Sequence, residues 1–599
     1  MAAKSVAVVW GSGALAAAAV VGGAFFPGPR VAVGSALVLL ALGVGLARRT
    51  VALTSEEWAV AVFLGWGVVS AVFVGMSPLA SRLALTNWLV ALIVWVVSRR
   101  ARPPARRMAA SVLLAAAILL VAGIFLEVVG RGAIRVGGLL ENPNIAAALV
   151  VVAVPLAMEL RGESGRGWCE ICAALLVLGV ILTGSRAGLL AVLAGGAVVL
   201  PAGRLRRAGL AFGGLAAGAV VLWRFVSQPD VLAWFRPTIW LAVLRLWWSR
   251  PLTGVGPGGL VDAAGPVRVL HDDHLGQRQF LIAYAESSPL SVLVQTGLVG
   301  AAIAAAVLFL WFRRARVNGA LAQPSLRAAV VSMAVMALFH DFVNLGVALW
   351  WWAAAVGLLE SGHFYPRPGV SLPLGPRVLR GMVFAFLVLW GMVGPAWAKW
   401  LWWNEPRSPQ MVNRVQAAEG WYAPPLEWRA RQLLAENLWT WPMAAEAVAR
   451  SQRAVAVHPG SSTLWMNLGH VHSRIIGEFG GWPDSIREAR RAFARAAELE
   501  PHQPWPWMEA ARLERVLGDL DRAAVFCRRA VAAEPHAVRA WLLLARIELD
   551  RANLESARGA LQHAESSARL ARRPGLKAYE RELLAAPAWQ FRELREALR

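Results

Sequence analysis

Apolar runs of membrane-spanning length recur through the first two thirds of this chain, and they restrict its fold more than any other feature. A bilayer core is about 30 Å thick, so a spanning helix needs roughly 20 mostly apolar residues. Such runs predict helical spans near 6–26, 31–47, 57–75, 83–98, 108–128, 144–160, 169–183, 187–201, 208–223, 287–312, 328–343, 345–360 and 380–398. Only 16% of the 599 residues are charged, against about 25% in soluble proteins. Lys4 precedes an apolar run to Phe26 that lacks a small-residue cleavage site, so a first span is expected there rather than a removed signal.

A net charge of +23 invites a nucleic-acid partner, but its distribution excludes one. From Asn404 onward there are 28 Lys/Arg against 23 Asp/Glu, so the excess belongs to the membrane part. With the N-terminus inside, 20 of the 32 bases before Asn404 fall in inner segments. The positive-inside rule then gives a multi-pass membrane protein with a cytoplasmic N-terminus. It puts the long polar loop at about 224–286 outside, along with everything after residue 398. Three cysteines (Cys169, Cys172 and Cys527) make no disulfide framework. The Cys169-x-x-Cys172 pair has no second pair or His cluster near it to complete a metal set.

The tail repeats. Trp507 and Trp541 are 34 residues apart, as are Pro501 and Pro535. Trp465 and Trp507 are 42 apart, as are Pro459 and Pro501, and the extra eight residues fit an insertion around Gly480-Gly481-Trp482-Pro483. With Leu468-Gly469, Ala489-x-x-x-Phe493 and Ala523-x-x-x-Cys527, this resembles tetratricopeptide repeats, paired helices that bury a face only by stacking. Two good repeats are expected, with partial ones at 442–458 and 538–568. The fold class is thus all-α: a polytopic bundle of 12–13 spans over 1–403, then a helical solenoid over 404–599 outside the membrane. A protein partner is expected for the solenoid.

The stretch from Trp223 to Gly300 holds the densest mix of Trp, Arg, His and acid. Ionisable groups at span edges are costly and therefore candidates for function. Arg186 lies in a tight turn, Thr183-Gly184-Ser185-Arg186-Ala187-Gly188; it is a phosphate fork or a snorkelling interfacial arginine. Val231 to Trp248 reads as a Trp-rich surface helix that would hold Arg236 and Arg245 beside lipid phosphates or simply anchor the chain. Gly254-Val255-Gly256-Pro257-Gly258-Gly259 is a turn with free backbone N–H groups and no P-loop lysine. Glu286, at the start of the next span, is a general base or a helix-end carboxylate. His340 and Asp341, with Asn344 after them, form a site wall or a structural hydrogen bond. His271-Asp272-Asp273-His274 are four adjacent loop residues that converge poorly on a metal, and no metal or cofactor is expected.

An ordered set of motifs sharpens this. Glu141-Asn142-Pro143-Asn144, Leu182-Thr183-Gly184-Ser185-Arg186-Ala187-Gly188, Arg236-x-x-x-Trp240, Pro251-Leu252-Thr253-Gly254-Val255-Gly256-Pro257-Gly258 and Leu290-x-x-x-x-Gln295-Thr296-Gly297-Leu298-Val299-Gly300 together resemble the O-antigen ligase and polymerase superfamily over roughly 130–360. The resemblance implies a membrane glycosyltransferase that moves glycan from an undecaprenyl diphosphate carrier to an acceptor lipid, glycan or protein. It puts the family's essential arginines at Arg186 and Arg236. Ligases place a His-Asn pair eleven and ten residues before the glycine matching Gly297; here those positions are Glu286 and Ser287. On this reading Arg186, Arg236 and Glu286 are catalytic, and Arg245, His340 and Asp341 bind substrate. No metal is needed, since arginine supplies the positive charge. A flippase for the same lipid-linked sugars and a non-catalytic scaffold acting through the repeats are the alternatives.

Overall fold

The computed structural model describes residues 50–52, 54–132, 136–140, 142–164, 167–199, 236–267, 282–363, 371–373, 394–480, 482–576 and 578–599, with 203, 211, 215, 218 and 219 as isolated positions. The expected spans at 6–26 and 31–47, and most of 208–223 and 380–398, lie outside the described residues, as do Glu141 and His271 to His274. The chain is a helical membrane bundle followed by a helical solenoid. Contacts divide it into two units, Met1–Gly75, Ala80–Gly258 and Tyr284–Asn404 in one, Met76–Leu79, Gly259–Ala283 and Glu405–Arg599 in the other.

The bundle is built from α1 (Ser55–Val74), α2 (Pro78–Arg99), α3 (Pro103–Arg131), α4 (Pro143–Ser164), α5 (Trp168–Leu182), α6 (Arg186–Val199), α7 (Arg236–Ser249), α8 (Ser288–Val317), α9 (Pro324–Phe339) and α10 (Gly346–Glu360). Of these α1 to α4 and α8 are long and apolar enough to cross a bilayer. The helices α5, α6, α9 and α10 are apolar and shorter. Helix α4 is the hub. Every side chain from Ala146 to Ala153 is buried, as expected of a helix apolar all round. Outer helices instead leave apolar groups such as Phe73, Leu126 and Phe309 exposed, which is the surface a spanning helix turns to lipid. A three-residue antiparallel pair, Thr50–Ala52 with Ser371–Pro373, is the only strand pairing among the described residues.

Two backbones cross at close range beside α8. Gly297 interrupts the helix with φ 67° and ψ −171°. The segment Pro251 to Gly256 runs against that break, where Val255 and Gly256 donate to the carbonyls of Val294 and Gln295 at 2.9 and 3.0 Å, and Leu298 donates to Pro251 O at 2.8 Å. A Cβ on Gly297 would lie 2.1 Å from Leu252 O, and one on Gly254 2.5 Å from Val294 O. Both glycines are therefore required by the crossing itself. Helix α1 holds the junction from behind, with Trp66 Nε1 donating to Thr296 O at 2.8 Å and Ser70 Oγ to Thr253 O at 2.8 Å.

At the opposite ends of these helices sits a buried charge cluster. Arg99 bonds Glu56 at 2.8 Å, and Arg100 bonds Glu57 at 2.7 Å. Arg314 lies 3.1 Å from Glu56, and Arg99 lies 3.5 Å from Glu360. Trp95 and Trp311 donate their indole N–H groups to Glu360. Buried charges are tolerated when paired and hydrogen-bonded, and this set ties the ends of α1, α2, α8 and α10 together.

In the second unit the helices run in pairs: α12 (Pro424–Ala435) and α13 (Trp441–Val457), α14 (Ser462–Phe479) and α15 (Pro483–Leu499), α16 (Pro504–Val516) and α17 (Leu520–Ala533), α18 (Val538–Asp550) and α19 (Leu554–Arg569), α20 (Ala578–Leu584) and α21 (Ala588–Ala597); α11 is Gly394–Asn404 of the first unit. The Trp–Pro spacing has a physical cause. Trp465, Trp507 and Trp541 donate to the carbonyls of Pro459, Pro501 and Pro535 at 2.9, 3.0 and 2.7 Å. Each indole thus fastens the turn that precedes its own helix. Gly469 leaves room for Phe493, whose ring would be 2.5 Å from a Cβ there. One repeat on, Ala511 faces the smaller Cys527 position, and both are buried. Cys527 donates to Ala540 O at 3.3 Å, and burial pushes its thiol pKa up. Short loop segments join this unit too: Asp262 pairs with His458 at 2.9 Å, and Gly460 N donates to Met76 O at 3.3 Å.

Candidate functional site

Two sets of the expected residues meet at one end of the bundle. The first is the turn before α6. Asn142 accepts from the N–H groups of Asn144 and Ile145 at 2.9 and 3.3 Å and so starts α4, with Pro143 pre-set for the first turn. Ser185 donates to Asn144 Oδ1 at 2.9 Å and accepts from Gly188 N at 3.2 Å, which caps α6. Gly184 has φ 62°, which lets the chain reverse between α5 and α6. Two motifs that are 41 residues apart thereby become one polar turn. Arg186 opens α6 from this turn, half-buried, with no hydrogen-bond or ion-pair partner among the described residues. Helix N-termini and an uncommitted guanidinium favour an anion there.

The second set forms where α7 begins, α8 begins and α9 ends. Glu286 Oε2 lies 3.6 Å from Arg236 Nε and 3.8 Å from His340 Nδ1. The Glu286 side chain is about one third exposed, whereas His340 is buried. Glu286 has φ 51°, unusual for a residue with a Cβ. Ser288 fixes the neighbouring geometry, donating to His340 O at 2.8 Å and accepting from Phe342 N at 3.0 Å. A ladder continues inward. Ser291 donates to Asp341 Oδ2 at 2.9 Å, Asn344 Nδ2 donates to the same oxygen at 2.8 Å, and Gln295 Nε2 donates to Ser291 Oγ at 2.6 Å. Gln295 Oε1 accepts from Gly258 N at 2.6 Å, so the glycine turn is coupled to the polar ladder. Both sets lie at the same end, since Ser332 of α9 donates to Ala191 O of α6 at 2.8 Å and a Cβ on Gly195 would lie 3.2 Å from Ala328 O, so the two helices run antiparallel and the end of α9 lies beside the start of α6.

Arg245 is placed differently. It is nine residues beyond Arg236, half a turn out of phase at 100° per residue, and it is exposed beside Leu244 and Trp248. Asp341 is buried and already accepts two hydrogen bonds, an arrangement suited to orienting the turn. Trp240 is legible in the sequence only as part of a motif. Its indole N–H is buried without a hydrogen-bond partner among the described residues, one turn from Arg236 and with its ring 6.4 Å from Phe339. Gln295 likewise stands only within a motif, and Ser288 and Ser291 do not stand out at all. The signal for these three is the i, i+3, i+7 spacing of polar groups on one face of an apolar helix.

Bundle, polar end and paired repeats define a multi-pass membrane protein with a helical-repeat domain behind it. Residues 171–305 match the O-Antigen ligase family, and residues 517–573 match a tetratricopeptide repeat. The chain thus carries a region that matches O-antigen ligases, a family whose activity in general is glycan transfer from a lipid-linked donor, followed by a region that matches tetratricopeptide repeats. No curated protein matches the sequence. Among solved structures, a thermophilic repeat protein of Thermus thermophilus matches at 18% identity over 32% of this chain and 88% of its own, with a TM-score of 0.24. Yeast Tom70 matches at 12% over 85% and 95%, with a TM-score of 0.19.

Proposed function

We propose that this protein transfers or polymerises glycan from an undecaprenyl diphosphate carrier onto an acceptor hydroxyl at the outer face of the cytoplasmic membrane. The carrying observation is that Arg236, Glu286 and His340, far apart in sequence, converge within 4 Å at the ends of three helices. Arg236 and Arg186 bind the diphosphate and stabilise the charge that develops on it as the glycosidic bond breaks. Glu286 takes the proton of the acceptor hydroxyl, whose oxygen then attacks the anomeric carbon. Asp341 holds its turn through Ser291 and Asn344. The repeats recruit a protein partner from the same side of the membrane.

Purified protein in lipid nanodiscs, given a labelled lipid-linked glycan and candidate acceptors, tests this. Label moving from carrier to acceptor supports transfer. Movement of the intact lipid across a bilayer without transfer makes the protein a flippase. Neither result makes it a scaffold working through its repeats.

A further inference from the structure

The Nε edge of the Arg236 guanidinium is turned to Glu286, with Nε 3.6 Å from Oε2, so an anion that takes that edge must displace the carboxylate. From this we propose that Glu286 and the donor's diphosphate compete for Arg236, and that His340 is the positioning residue that keeps the carboxylate in place once the diphosphate has displaced it. Donor binding then precedes acceptor activation. The inference rests on the transfer reading above and adds a compulsory order to it.

The surroundings make the hand-over short. The backbone at Glu286 cannot retreat, because Ala285 and Ser287 on either side are buried and Ser288 bonds both His340 O and Phe342 N. Only the carboxylate can move. The second neighbour is His340 Nδ1 at 3.8 Å, in a residue whose backbone carbonyl is held by Ser288 and whose ring packs edge-on against Phe342 at 5.6 Å. A diphosphate carries more charge than a carboxylate and presents several oxygens to a planar fork, so it outcompetes Glu286 for Arg236. The freed carboxylate, still held at His340, accepts the acceptor's proton. The acceptor oxygen forms its bond to the anomeric carbon, the bond from that carbon to the diphosphate oxygen breaks, and the electron pair leaves with the diphosphate. When the product departs, the proton returns to solvent and Glu286 closes on Arg236 again. Until a donor arrives, the base is engaged and the acceptor stays unactivated.

The probe is undecaprenyl diphosphate, titrated calorimetrically into the full-length protein in nanodiscs. Removing the internal competitor in Glu286→Gln tightens binding about threefold to fivefold, the worth of a partly exposed ion pair, while transfer falls at least a hundredfold. In the Arg236→Gln background the tightening disappears. For His340, Asn puts an amide N–H where Nδ1 was, so His340→Asn retains most of kcat. His340→Leu lowers kcat with the probe bound as tightly as before. Should Glu286→Gln fail to fold, judged by its melting temperature, Glu286→Ser repeats the measurement. Unchanged or weaker probe binding in the charge-free variant overturns the proposal, as does loss of kcat in His340→Asn equal to that in His340→Leu. A wild-type protein that transfers nothing counts against the transfer reading alone, because the binding comparison needs no turnover.

Discussion

Gly297→Ala is the substitution that most directly tests the architecture around the site. The residue has φ 67° and ψ −171°, a region open essentially to glycine, and a non-glycine residue held there costs on the order of 1–3 kcal/mol. The added methyl would also start 2.1 Å from Leu252 O, and the atoms it would meet are backbone, so nothing flexible can yield. Separating the two chains puts at risk the bonds from Val255, Gly256 and Leu298, at 2.9, 3.0 and 2.8 Å. Each is worth about 1 kcal/mol. Strain and partial loss of these bonds together amount to roughly 3–5 kcal/mol, a large share of the ~5–15 kcal/mol that holds a domain. The effect reaches the site because Gln295, two residues before the break, carries both the Gly258 and the Ser291 bonds. Thermal unfolding in detergent and the transfer assay on the same preparation measure it, with Gly65→Ala as the control. Gly65 lies in α1 with nothing within 4 Å of its would-be Cβ, so alanine there is neutral or slightly stabilising. If Gly297→Ala melts and transfers like the control, the crossing is not under the constraint described.

Four further expectations follow from other parts of the molecule. Arg186→Lys and Arg236→Lys each lower transfer about a hundredfold or more, since a point charge replaces a planar fork at a developing anion; normal rates in both would detach these arginines from the chemistry. A reporter fused after residue 405 is active only outside the cytoplasm by the charge bias of the loops, and cytoplasmic activity would show a misassigned span. Trp507→Phe, which removes only the bond to Pro501 O at 3.0 Å, destabilises α16 by about 1 kcal/mol, read as faster amide exchange across Pro504–Val516, and unchanged exchange would make the indole bond incidental. Burial pushes the Glu509 pKa up, but His470 and Arg512 outweigh it and hold it below the ordinary value of 4.5. A depressed carboxylate stabilises above its unfolded pKa and loses that contribution as pH falls through the folded value. Amide protection in the same helix, taken relative to the intrinsic exchange rate at each pH, should therefore fall on acidification from about pH 6 to about pH 3 and lose that dependence in Glu509→Gln; an unaltered pH dependence of protection in the variant would point to another group.

The described part of the bundle was legible because apolar length is a local signal, and the repeats because the Trp–Pro bond recurs in three successive pairs. The partial repeat expected at 442–458 takes in α13 without its partner α12, the one expected at 538–568 is the full pair α18 with α19, and α20 with α21, which lack the Trp–Pro register, gave no signal. Among site residues, Arg186, Arg236, Glu286, His340 and Asp341 stood out as ionisable groups at span edges. What sequence could not give was their pairing: Glu286 and His340 meet through the Ser288 bond to His340 O, which spans 52 positions. The glycine motifs were visible as motifs, but their reason is the passage of one backbone against another, a property of neither segment alone. Glu56, Glu57 and Glu360 drew no attention because their partners are distant in the chain, Arg314 lying 258 residues from Glu56.

That cluster bears on how the protein is made. Glu56 and Glu57 enter the membrane region first, and their partners Arg99 and Arg100 arrive at the end of the very next helix. A hairpin leaving the ribosome can thus neutralise its own charges before any later segment exists. Arg314 and Glu360 come more than two hundred residues afterwards, one positive and one negative, and cancel each other as they join Glu56 and Arg99. Partly built bundles are therefore expected to stay close to electroneutral at this depth during insertion. An arginine or glutamate lost from the set should be felt first as a quality-control defect during insertion, with degraded nascent chains, before it is felt as lower stability of the finished protein.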